Sequence, residues 1–234
     1  MDTENRVGVV VVSAGRGTRM GTRESKQYLL LKDKPIIMHT LDVFERMPLV
    51  QEIVLVTGAE DIDRCAGWIK EYGLSKVVKV IPGGSERQQS VYKGLLEIGT
   101  EWVMVHDGVR PFIEPEHVEA CCRKAQLSGA AVLAVKVKDT IKQVSESGMI
   151  EATPDRRSLW AIHTPQAFRL SELKKAHEQA EAEGFIGTDD SMLVERMGIP
   201  VAVVESSYTN IKITTPEDLE YAEFMLKRRG ERNP

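Results

Sequence analysis

Short apolar runs alternate with amphipathic segments along most of this chain. Apolar runs that are rich in β-branched residues predict strands buried on both faces of a sheet. The predicted strands are Val7–Ser13, Ile53–Thr57, Val77–Ile81, Trp102–His106, Ala131–Val137 and Val201–Val204. Segments with apolar residues three or four positions apart predict helices that cover such a sheet with one face. The predicted helices are Ile36–Arg46, Asp61–Tyr72, Glu86–Ile98, Pro115–Leu127, Ser171–Glu183 and Pro216–Arg228.

This alternation predicts the fold class. Parallel strands need crossover connections, usually helices, and right-handed crossovers place helices on the faces of the sheet. No repeat or low-complexity linker divides the sequence. We therefore expect a single α/β domain over residues 1–234, built on a Rossmann-like, mostly parallel sheet flanked by helices.

Three segments carry signals for the start of a helix. Thr215 precedes Pro216 and two acidic residues, which favours a helix that begins at the proline. The segment Ser85-Glu-Arg-Gln88 has the spacing of a capping box. Thr188-Asp-Asp190 predicts a capping residue followed by an acidic first turn, and a functional role for it ranks second.

Residues 138–160 interrupt the rhythm where another helix is due. Alternation on both sides of Ser145-Glu-Ser-Gly148 predicts a β-hairpin with a glycine-containing turn. A two-stranded hairpin buries too little surface to be stable alone in water. This protruding arm must therefore lie on its own domain or on another protomer, and we expect a homodimer formed through it.

The stretch most informative for function is residues 9–28, VVVVSAGRGTRMGTRESKQY, in which a strand runs into a turn with three glycines. The cations of this turn are Arg16, Arg19, Arg23 and Lys26. Glycines let the backbone approach a bulky anion, and cations add charge-assisted hydrogen bonds, so the turn predicts a phosphate site. It is not a P-loop, because no Gly-Lys-Ser/Thr occurs. It is not the dinucleotide fingerprint either, because the third glycine comes one residue late.

Composition restricts the partners of this site. The 234 residues carry 31 Lys and Arg against 35 Asp and Glu, a net charge of −4. Proteins that bind nucleic acid by neutralising phosphates are normally basic, so we expect a small anion and no nucleic acid. No apolar run approaches the roughly 18 residues of a membrane span, and the first residues do not resemble a signal peptide. With three cysteines and no CxxC pair, we expect a cytoplasmic protein without a membrane partner.

Residues that follow the predicted strands are candidates for the site, because ligands of α/β sheets bind beyond the carboxyl ends of the strands. Gly84 and Ser85 could offer backbone groups to a base or a phosphate, although an ordinary glycine turn is an equal alternative. Asp107 could hold a divalent ion or a ribose hydroxyl, and Arg110 could bind a second phosphate or merely pair with Asp107. Lys212 ends a strand-like run and is either solvated or a further cation at this edge.

The sequence contains no arrangement for nucleophilic catalysis. GxSxG, a plausible Cys–His pair and the HExxH zinc pattern are all absent from it, and His106 and His163 are expected to be structural. The remaining candidates are cations, backbone amides and one carboxylate around an anion. Such a set matches phosphoryl or nucleotidyl transfer, in which catalysis is chiefly positioning and charge stabilisation.

Eight sequence blocks, spread over nearly the whole chain, resemble those of sugar-phosphate nucleotidyltransferases, and most closely the 2-C-methyl-D-erythritol 4-phosphate cytidylyltransferase family. The blocks are SAGRGTRMG, SKQY, PGGSERQQSV, VHDGVRP, KDTIK, DRRSLWAIHTPQAF, TDDSMLVE and NIKITTPEDL. Each block is weak by itself, but the ordered set is specific. The resemblance implies transfer of the cytidylyl group of CTP to the polyol phosphate 2-C-methyl-D-erythritol 4-phosphate. It also implies Mg²⁺ or another divalent cation, and a place in the non-mevalonate synthesis of isoprenoid precursors.

The resemblance further implies roles for individual residues. The catalytic residues would be Arg19, Lys26, Arg156 and Lys212. The nucleotide would be bound by Ser13, Ala14, Gly15, Gly84, Ser85, Ser90 and Asp107. The polyol phosphate would be bound by Arg110, Thr140 and Thr164. Asp107 would also lie at the metal, and the portion from Thr140 to Arg156 would belong to an arm that reaches into the partner subunit.

The sequence departs from the family pattern at two positions, and two alternative functions stay open. Ser25 stands where the family often has proline, and Arg157 follows Arg156, so either arginine could reach the substrate phosphate. A ribitol 5-phosphate cytidylyltransferase would share the glycine loop, although DRRSLW before HTPQ favours the methylerythritol substrate. A non-catalytic nucleotide-binding regulator would keep the fold, but the intact catalytic residues argue against it.

Overall fold

The structure of the chain is a computed structural model that describes residues 6–15 and 24–232, with side chains as far as residue 228. The strands of these residues are β1 Val7–Val12, β2 Leu30–Leu31, β3 Lys34–Pro35, β4 Val50–Thr57, β5 Val77–Pro82, β6 Trp102–Asp107, β7 Ala130–Lys136, β8 Gln143–Val144, β9 Ile150–Ala152, β10 Trp160–Arg169 and β11 Ala202–Glu205. The helices are α1 Ile36–Glu45, α2 Ile62–Glu71, α3 Arg87–Leu96, α4 Pro115–Ser128, α5 Leu170–Ala182, α6 Asp190–Arg196 and α7 Pro216–Arg232.

A seven-stranded sheet in the order β11-β7-β10-β6-β1-β4-β5 lies at the centre. Its neighbouring strands are parallel except for β10, which is antiparallel to both β6 and β7. The predicted α/β class and mostly parallel sheet are therefore confirmed. In β1 and β6, Val12 lies opposite Asp107, so the two chain segments that leave these strands are neighbours.

Apolar side chains of the sheet face two helical layers. Val9 and Val11 of β1 belong to the core beneath α1, α2 and α4, whereas Val10 points to the core beneath α3, α5 and α6. This division follows from the two-residue period of a strand. Helices thus cover both faces, and the ends of the strands remain for ligands.

Strand β10 was not predicted. Its pairing with β7 shifts register between His163 and Gln166, at the position of Pro165. Proline cannot donate to the ladder, and a run that contains it does not show the pattern of a central strand. In addition, residues 164–168 of β10 are buried without interruption, whereas residues 160–163 are exposed or half-buried. The alternation of a strand is therefore absent from its first half.

Two of the three predicted helix starts are confirmed. The carboxylate of Asp189 accepts from the amide of Met192 at the start of α6, and α7 begins at Pro216 after Thr215. The capping box of α3 is displaced by one residue from the predicted position, since it is formed by Glu86 and Gln89.

The predicted hairpin in residues 138–160 is present. Strands β8 and β9 pair antiparallel around a turn in which Gly148 has φ +81°, a conformation that favours glycine. The side chains of Val144, Met149 and Ile150 are exposed on it. These apolar side chains agree with an arm that needs a further surface to pack against.

Helix α7 docks next to the ends of β1 and β6. Ala222 and Met225 belong to a third apolar cluster with Leu31 and Phe112, and the amide of Ile213 donates to the carbonyl of Val109 at 3.0 Å. The segment before α7 is thereby held beside the turn that follows β6. No helix within residues 6–15 and 24–232 is long and apolar enough to span a bilayer.

Candidate active site

Two open cavities lie where the parallel strands end, with volumes of about 650 Å³ and 640 Å³. The first contains many of the residues predicted for the site: Ser13, Ala14, Gly15, Lys26, Gly84, Ser85, Ser90, Asp107 and Lys212. The second is lined by four predicted residues: Asp107, Arg110, Thr164 and Lys212. Three residues, Arg87, Asp107 and Lys212, line both cavities. The site is therefore one continuous region with two compartments.

Gln27 shapes the turn at the end of β1. Its buried side-chain amide donates to the carbonyls of Ser13 at 2.8 Å and Gly15 at 3.2 Å. Tyr28, the next residue, contacts the hydroxyl of Thr57 at the end of β4 through its own hydroxyl. The short 3₁₀ turn that begins with Lys26 is thus held on two sides, and Lys26 lines the first cavity. Arg19 lies outside the described residues.

The glycine turn after β5 forms the opposite wall. The amide of Gly84 donates to Ser90 Oγ at 3.0 Å, and that of Ser85 donates to Gln89 Oε1 at 3.1 Å. Both amides thus donate within the protein, while the two residues line the first cavity. Their predicted role in binding the nucleotide stays a prediction. A Cβ on Gly84 would lie 2.5 Å from the Cβ of Gln89, so this turn requires glycine for close approach.

Asp107 lies at the centre of a cluster of cations. Its Oδ2 atom is 2.9 Å from the ammonium of Lys212 and 3.6 Å from Nε of Arg110, and its Oδ1 atom is 3.4 Å from Nε of Arg87. Burial by itself would raise the pKa of Asp107, but Arg87, Lys212 and Arg110 lower it well below its usual range. The carboxylate stays ionised, and it holds the three cations at one place.

Arg110 is buried between β6 and the segment before α7. Its Nη1 atom donates to the carbonyl of Asn210 at 2.7 Å, and the Asn210 side-chain amide donates to the carbonyl of Thr164 at 2.9 Å. The hydroxyl of Thr164 in turn accepts from the amide of Asp107 at 3.0 Å. The predicted Asp107–Arg110 pair is present, and Lys212 is paired rather than simply solvated.

The two histidines near the site are neutral. Burial lowers the pKa of His106 to about 4, and burial followed by the nearby charge of Arg110 lowers that of His163 to about 4. His106 Nε2 lies 3.2 Å from the carbonyl of Arg110, while its Nδ1 atom has no partner within the described residues. His106 was expected to be a structural residue with a hydrogen-bonded ring. One ring nitrogen, Nε2, has such a partner. His163 lines the second cavity.

Thr140 and Arg156 lie on the exposed arm and line neither cavity of their own chain. Arg156 donates to the carbonyl of Lys138 at 2.6 Å, whereas the guanidinium of Arg157 is paired with the carboxylate of Asp155 at 2.6 Å. Of the two adjacent arginines, Arg156 is the one without this local carboxylate contact.

Several site residues were missed from the sequence. Arg87 lines both cavities, but it lay in a block that we interpreted as a helix start. Thr188 and Asp189 line the second cavity in addition to preceding α6, so their lower-ranked functional interpretation stays a prediction. Gln27 carried no signal of its own, because only the fold places it under the turn after β1.

Asp107 is the candidate protein ligand for a divalent cation, because it is the carboxylate that lines both cavities. Within the part of the chain that the structure describes, no cluster of three or more His, Cys, Asp or Glu side chains could hold a metal ion. Mg²⁺ is commonly bound by one or two carboxylates together with substrate phosphates and water. The single carboxylate of Asp107 fits such a site only when a phosphate-bearing ligand supplies further oxygens.

The parallel sheet, the glycine turn and the cation cluster define a nucleotidyltransferase of the α/β class. The profile of the 2-C-methyl-D-erythritol 4-phosphate cytidylyltransferase family matches residues 7–228. The enzyme of that name from Alkaliphilus metalliredigens is 49% identical over 232 residues, covering 98% of this chain and 96% of the relative. That from Bacillus velezensis is 48% identical over 221 residues, covering 94% and 95%.

Solved structures agree with the sequence relatives. The 4-diphosphocytidyl-2C-methyl-D-erythritol synthase of Anaerococcus prevotii superposes with a TM-score of 0.86 at 30% identity, covering 96% of this chain and 99% of that one. The 2-C-methyl-D-erythritol 4-phosphate cytidylyltransferase of Francisella tularensis gives 0.79 at 32% identity, covering 94% and 99%. This chain belongs to the 2-C-methyl-D-erythritol 4-phosphate cytidylyltransferase family.

Proposed function

We propose that this protein transfers the cytidylyl group of CTP to 2-C-methyl-D-erythritol 4-phosphate, in the synthesis of isoprenoid precursors. The products are 4-diphosphocytidyl-2-C-methyl-D-erythritol and pyrophosphate. The proposal rests on one observation: Lys26, Asp107 and Lys212 line the same cavity. Asp107 and Lys212 also line the second cavity. Two anionic substrates need such an arrangement, one in each compartment. Family membership supplies the identity of both substrates.

The reaction is a displacement at the α-phosphorus of CTP. A phosphate oxygen of the acceptor forms the new bond to this phosphorus, while the bond to the bridging oxygen of the β-phosphate breaks and pyrophosphate leaves with that electron pair. Lys26 and Arg19 would contact the triphosphate, and Lys212 and Arg110 would contact the acceptor phosphate. Their charges offset the repulsion between two anions and the charge that develops on the leaving group.

The reaction requires no general base. A phosphate monoester has a second pKa of about 6, so its oxygen is already an ionised nucleophile near neutral pH. The neutral histidines of the site therefore need no catalytic role. The work of the protein is to bring two phosphates together in line and to exclude other geometries.

We propose that Asp107 also holds Mg²⁺ together with phosphate oxygens of CTP. A carboxylate has about four lone-pair sites, so it can accept a metal ion in addition to its contacts with Lys212 and Arg87. Bound there, Mg²⁺ neutralises phosphate charge and orients the triphosphate. Lys212 and Arg87 keep the carboxylate at the boundary of the two cavities.

We further propose a homodimer in which the arm of one protomer completes the acceptor cavity of the other. The exposed apolar side chains of the arm and the position of Thr140 and Arg156 away from their own cavities support this arrangement. The partner's arginine would add the cation that a phosphate in the second cavity still needs. The three cysteines are free and buried, which supports a reducing, cytoplasmic location.

The decisive experiment measures pyrophosphate release from the purified protein with CTP and Mg²⁺. Methylerythritol phosphate and ribitol 5-phosphate are compared as acceptors at equal concentrations. Release with methylerythritol phosphate alone supports the proposed substrate. Release with ribitol 5-phosphate alone would keep the mechanism and replace the substrate. CTP binding without release from either acceptor would indicate a non-catalytic regulator instead.

A further inference from the structure

Arg87 is bound between two carboxylates that come from different parts of the chain. Its Nη1 atom donates to Oδ2 of Asp190 at 2.8 Å, and its Nε atom donates to Oδ1 of Asp107 at 3.4 Å. The contact with Asp190 is the shorter of the two. Because a guanidinium is planar and its donors are fixed relative to one another, holding one edge of it also sets the direction of the rest.

Asp190 is a buried anchor for this arginine. Its side chain is 1% exposed, it begins α6, and its Oδ1 atom lies 3.2 Å from Nε2 of the buried His177. A buried carboxylate that loses its charged partner is strongly destabilised. The pairing with Arg87 is therefore needed by the fold, and it also fixes where Arg87 lies.

The contacts of Asp107 are divided between its two oxygens. Oδ1 faces Arg87, whereas Oδ2 faces the ammonium of Lys212 and Nε of Arg110. Without a donor on Oδ1 the carboxylate of Asp107 could rotate about its Cβ–Cγ bond, because the χ2 angle of aspartate has a broad distribution. Rotation would move Oδ2 and with it the ammonium of Lys212.

We propose that Arg87 is a positioning residue for cytidylyl transfer: anchored by Asp190, it fixes the rotation of Asp107 and so places Lys212 between the two cavities. This inference rests on the proposed function. It assigns to the Arg87–Asp190 pair a second task besides stability, and it connects α6 to the reacting phosphates through one guanidinium.

A stability-matched set of variants separates the two tasks. Arg87→Met leaves Asp190 charged and buried, so we expect a lower unfolding midpoint in urea and a kcat at least tenfold lower. In Arg87→Met/Asp190→Asn the unpaired charge is gone, so we expect the midpoint to recover most of its loss while kcat stays at least tenfold reduced. Arg196→Met is the control, because Arg196 pairs with Glu183 on the same side of the molecule at 2.7 Å and lines neither cavity.

Two further measurements keep the test decisive if the double variant folds poorly. In Arg87→Lys a positive charge remains opposite Asp190, but an ammonium lacks the planar set of donors that binds both carboxylates. We therefore expect a folded enzyme with reduced kcat. In a double-mutant cycle, Arg87→Lys combined with Asp107→Asn should lower kcat no further than Asp107→Asn alone, because Arg87 acts through Asp107.

Four outcomes would overturn the inference. Recovery of both stability and kcat in the double variant would leave Arg87 with a structural role only, as would normal kcat in folded Arg87→Lys. Additive losses in the cycle would show that Arg87 acts independently of Asp107. A wild-type enzyme that releases no pyrophosphate in the same assay would reject the proposed function itself, and this inference with it.

Discussion

The ammonium of Lys212 lies 2.9 Å from Oδ2 of Asp107, at the point where the two cavities of the site meet. Asp107 is the last residue of β6, whereas Lys212 belongs to the segment before α7. The contact between the amide of Ile213 and the carbonyl of Val109 brings these segments together. The lysine is therefore held by Asp107 at the boundary of the two cavities, the position that its proposed contact with phosphate requires.

Replacing Lys26 by alanine should abolish most of the activity without unfolding the protein. A charge contact made in the transition state contributes about 3 kcal/mol or more, so we expect kcat to fall at least a hundredfold. The same is expected for Arg19→Ala. Pyrophosphate release is measured together with the urea unfolding curve. Lys124→Ala, on the exposed face of α4, serves as the control and should turn over normally. Near-normal kcat in Lys26→Ala would refute the role of this lysine.

The adjacent arginines of the arm should differ in effect. Arg157 is held by the carboxylate of Asp155, whereas Arg156 donates to the backbone carbonyl of Lys138. We expect Arg156→Ala to raise the KM for methylerythritol phosphate at least tenfold and to leave the KM for CTP nearly unchanged. Arg157→Ala is the matched control, with both constants close to wild type. The opposite order of effects would assign the phosphate contact to Arg157.

Mixed dimers test whether the arm serves the partner's cavity. Assayed well below the KM for methylerythritol phosphate, the Arg156→Ala and Lys212→Ala homodimers should each show at most about a tenth of wild-type activity, but reassociation of the two should restore about a quarter of it. About half of the dimers would then be mixed, and each mixed dimer would contain one intact site. Light scattering establishes the dimer before mixing. Absence of any recovery from a confirmed mixture would place both residues in the site of a single chain.

Two helix glycines should respond oppositely to alanine. A Cβ on Gly94 of α3 would clash with Val10 and lie 3.0 Å from Val56, so Gly94→Ala should destabilise by about 1–3 kcal/mol. Gly67 of α2 has open space around its Cβ position, so Gly67→Ala should stabilise by about 0.5–1 kcal/mol. Urea unfolding of both variants checks the prediction. Equal effects would show that the packing of α3 on β1 is looser than described.

His163 should make the protein less stable as the pH falls. Burial lowers the pKa of its ring to about 4 in the folded protein, against about 6.5 for an ordinary histidine. Between these values the unfolded chain binds the proton more tightly, so the free energy of unfolding decreases as the pH falls through this window. Between about pH 7 and pH 5 we expect the wild type to lose about 1–2 kcal/mol more than His163→Gln. Parallel curves for the two proteins would contradict this assignment.

The sequence was most informative where local chemistry decides the structure. The runs of valine in β1 and β4, the helix that begins at Pro216, and the glycine of the hairpin turn were all predicted, because backbone preference and burial act there within a few residues. Gly84, Ser85 and Asp107 were named for a related reason. They stand at or just beyond the ends of β5 and β6, and the ends of parallel strands meet at one edge. Ser90 was named only because of the family resemblance.

Prediction failed where partners are distant in the chain. The antiparallel β10 was missed because Pro165 and its exposed first half hide the pattern of a strand. Arg87 was assigned to a helix start, since nothing near it in sequence indicates the carboxylate of Asp190. Gln27 likewise has no local signal for the carbonyls that it binds.

The amino-acid sequence by itself determined the α/β class, the hairpin arm and the family to which the resemblance pointed. Only the tertiary structure decided that Lys212 pairs with Asp107, that the amides of Gly84 and Ser85 are already in use, and that Arg87 joins two buried carboxylates. Local patterns report the preferences of neighbouring residues. The charges of a site are set by contacts between segments that only folding brings within a few ångströms of each other.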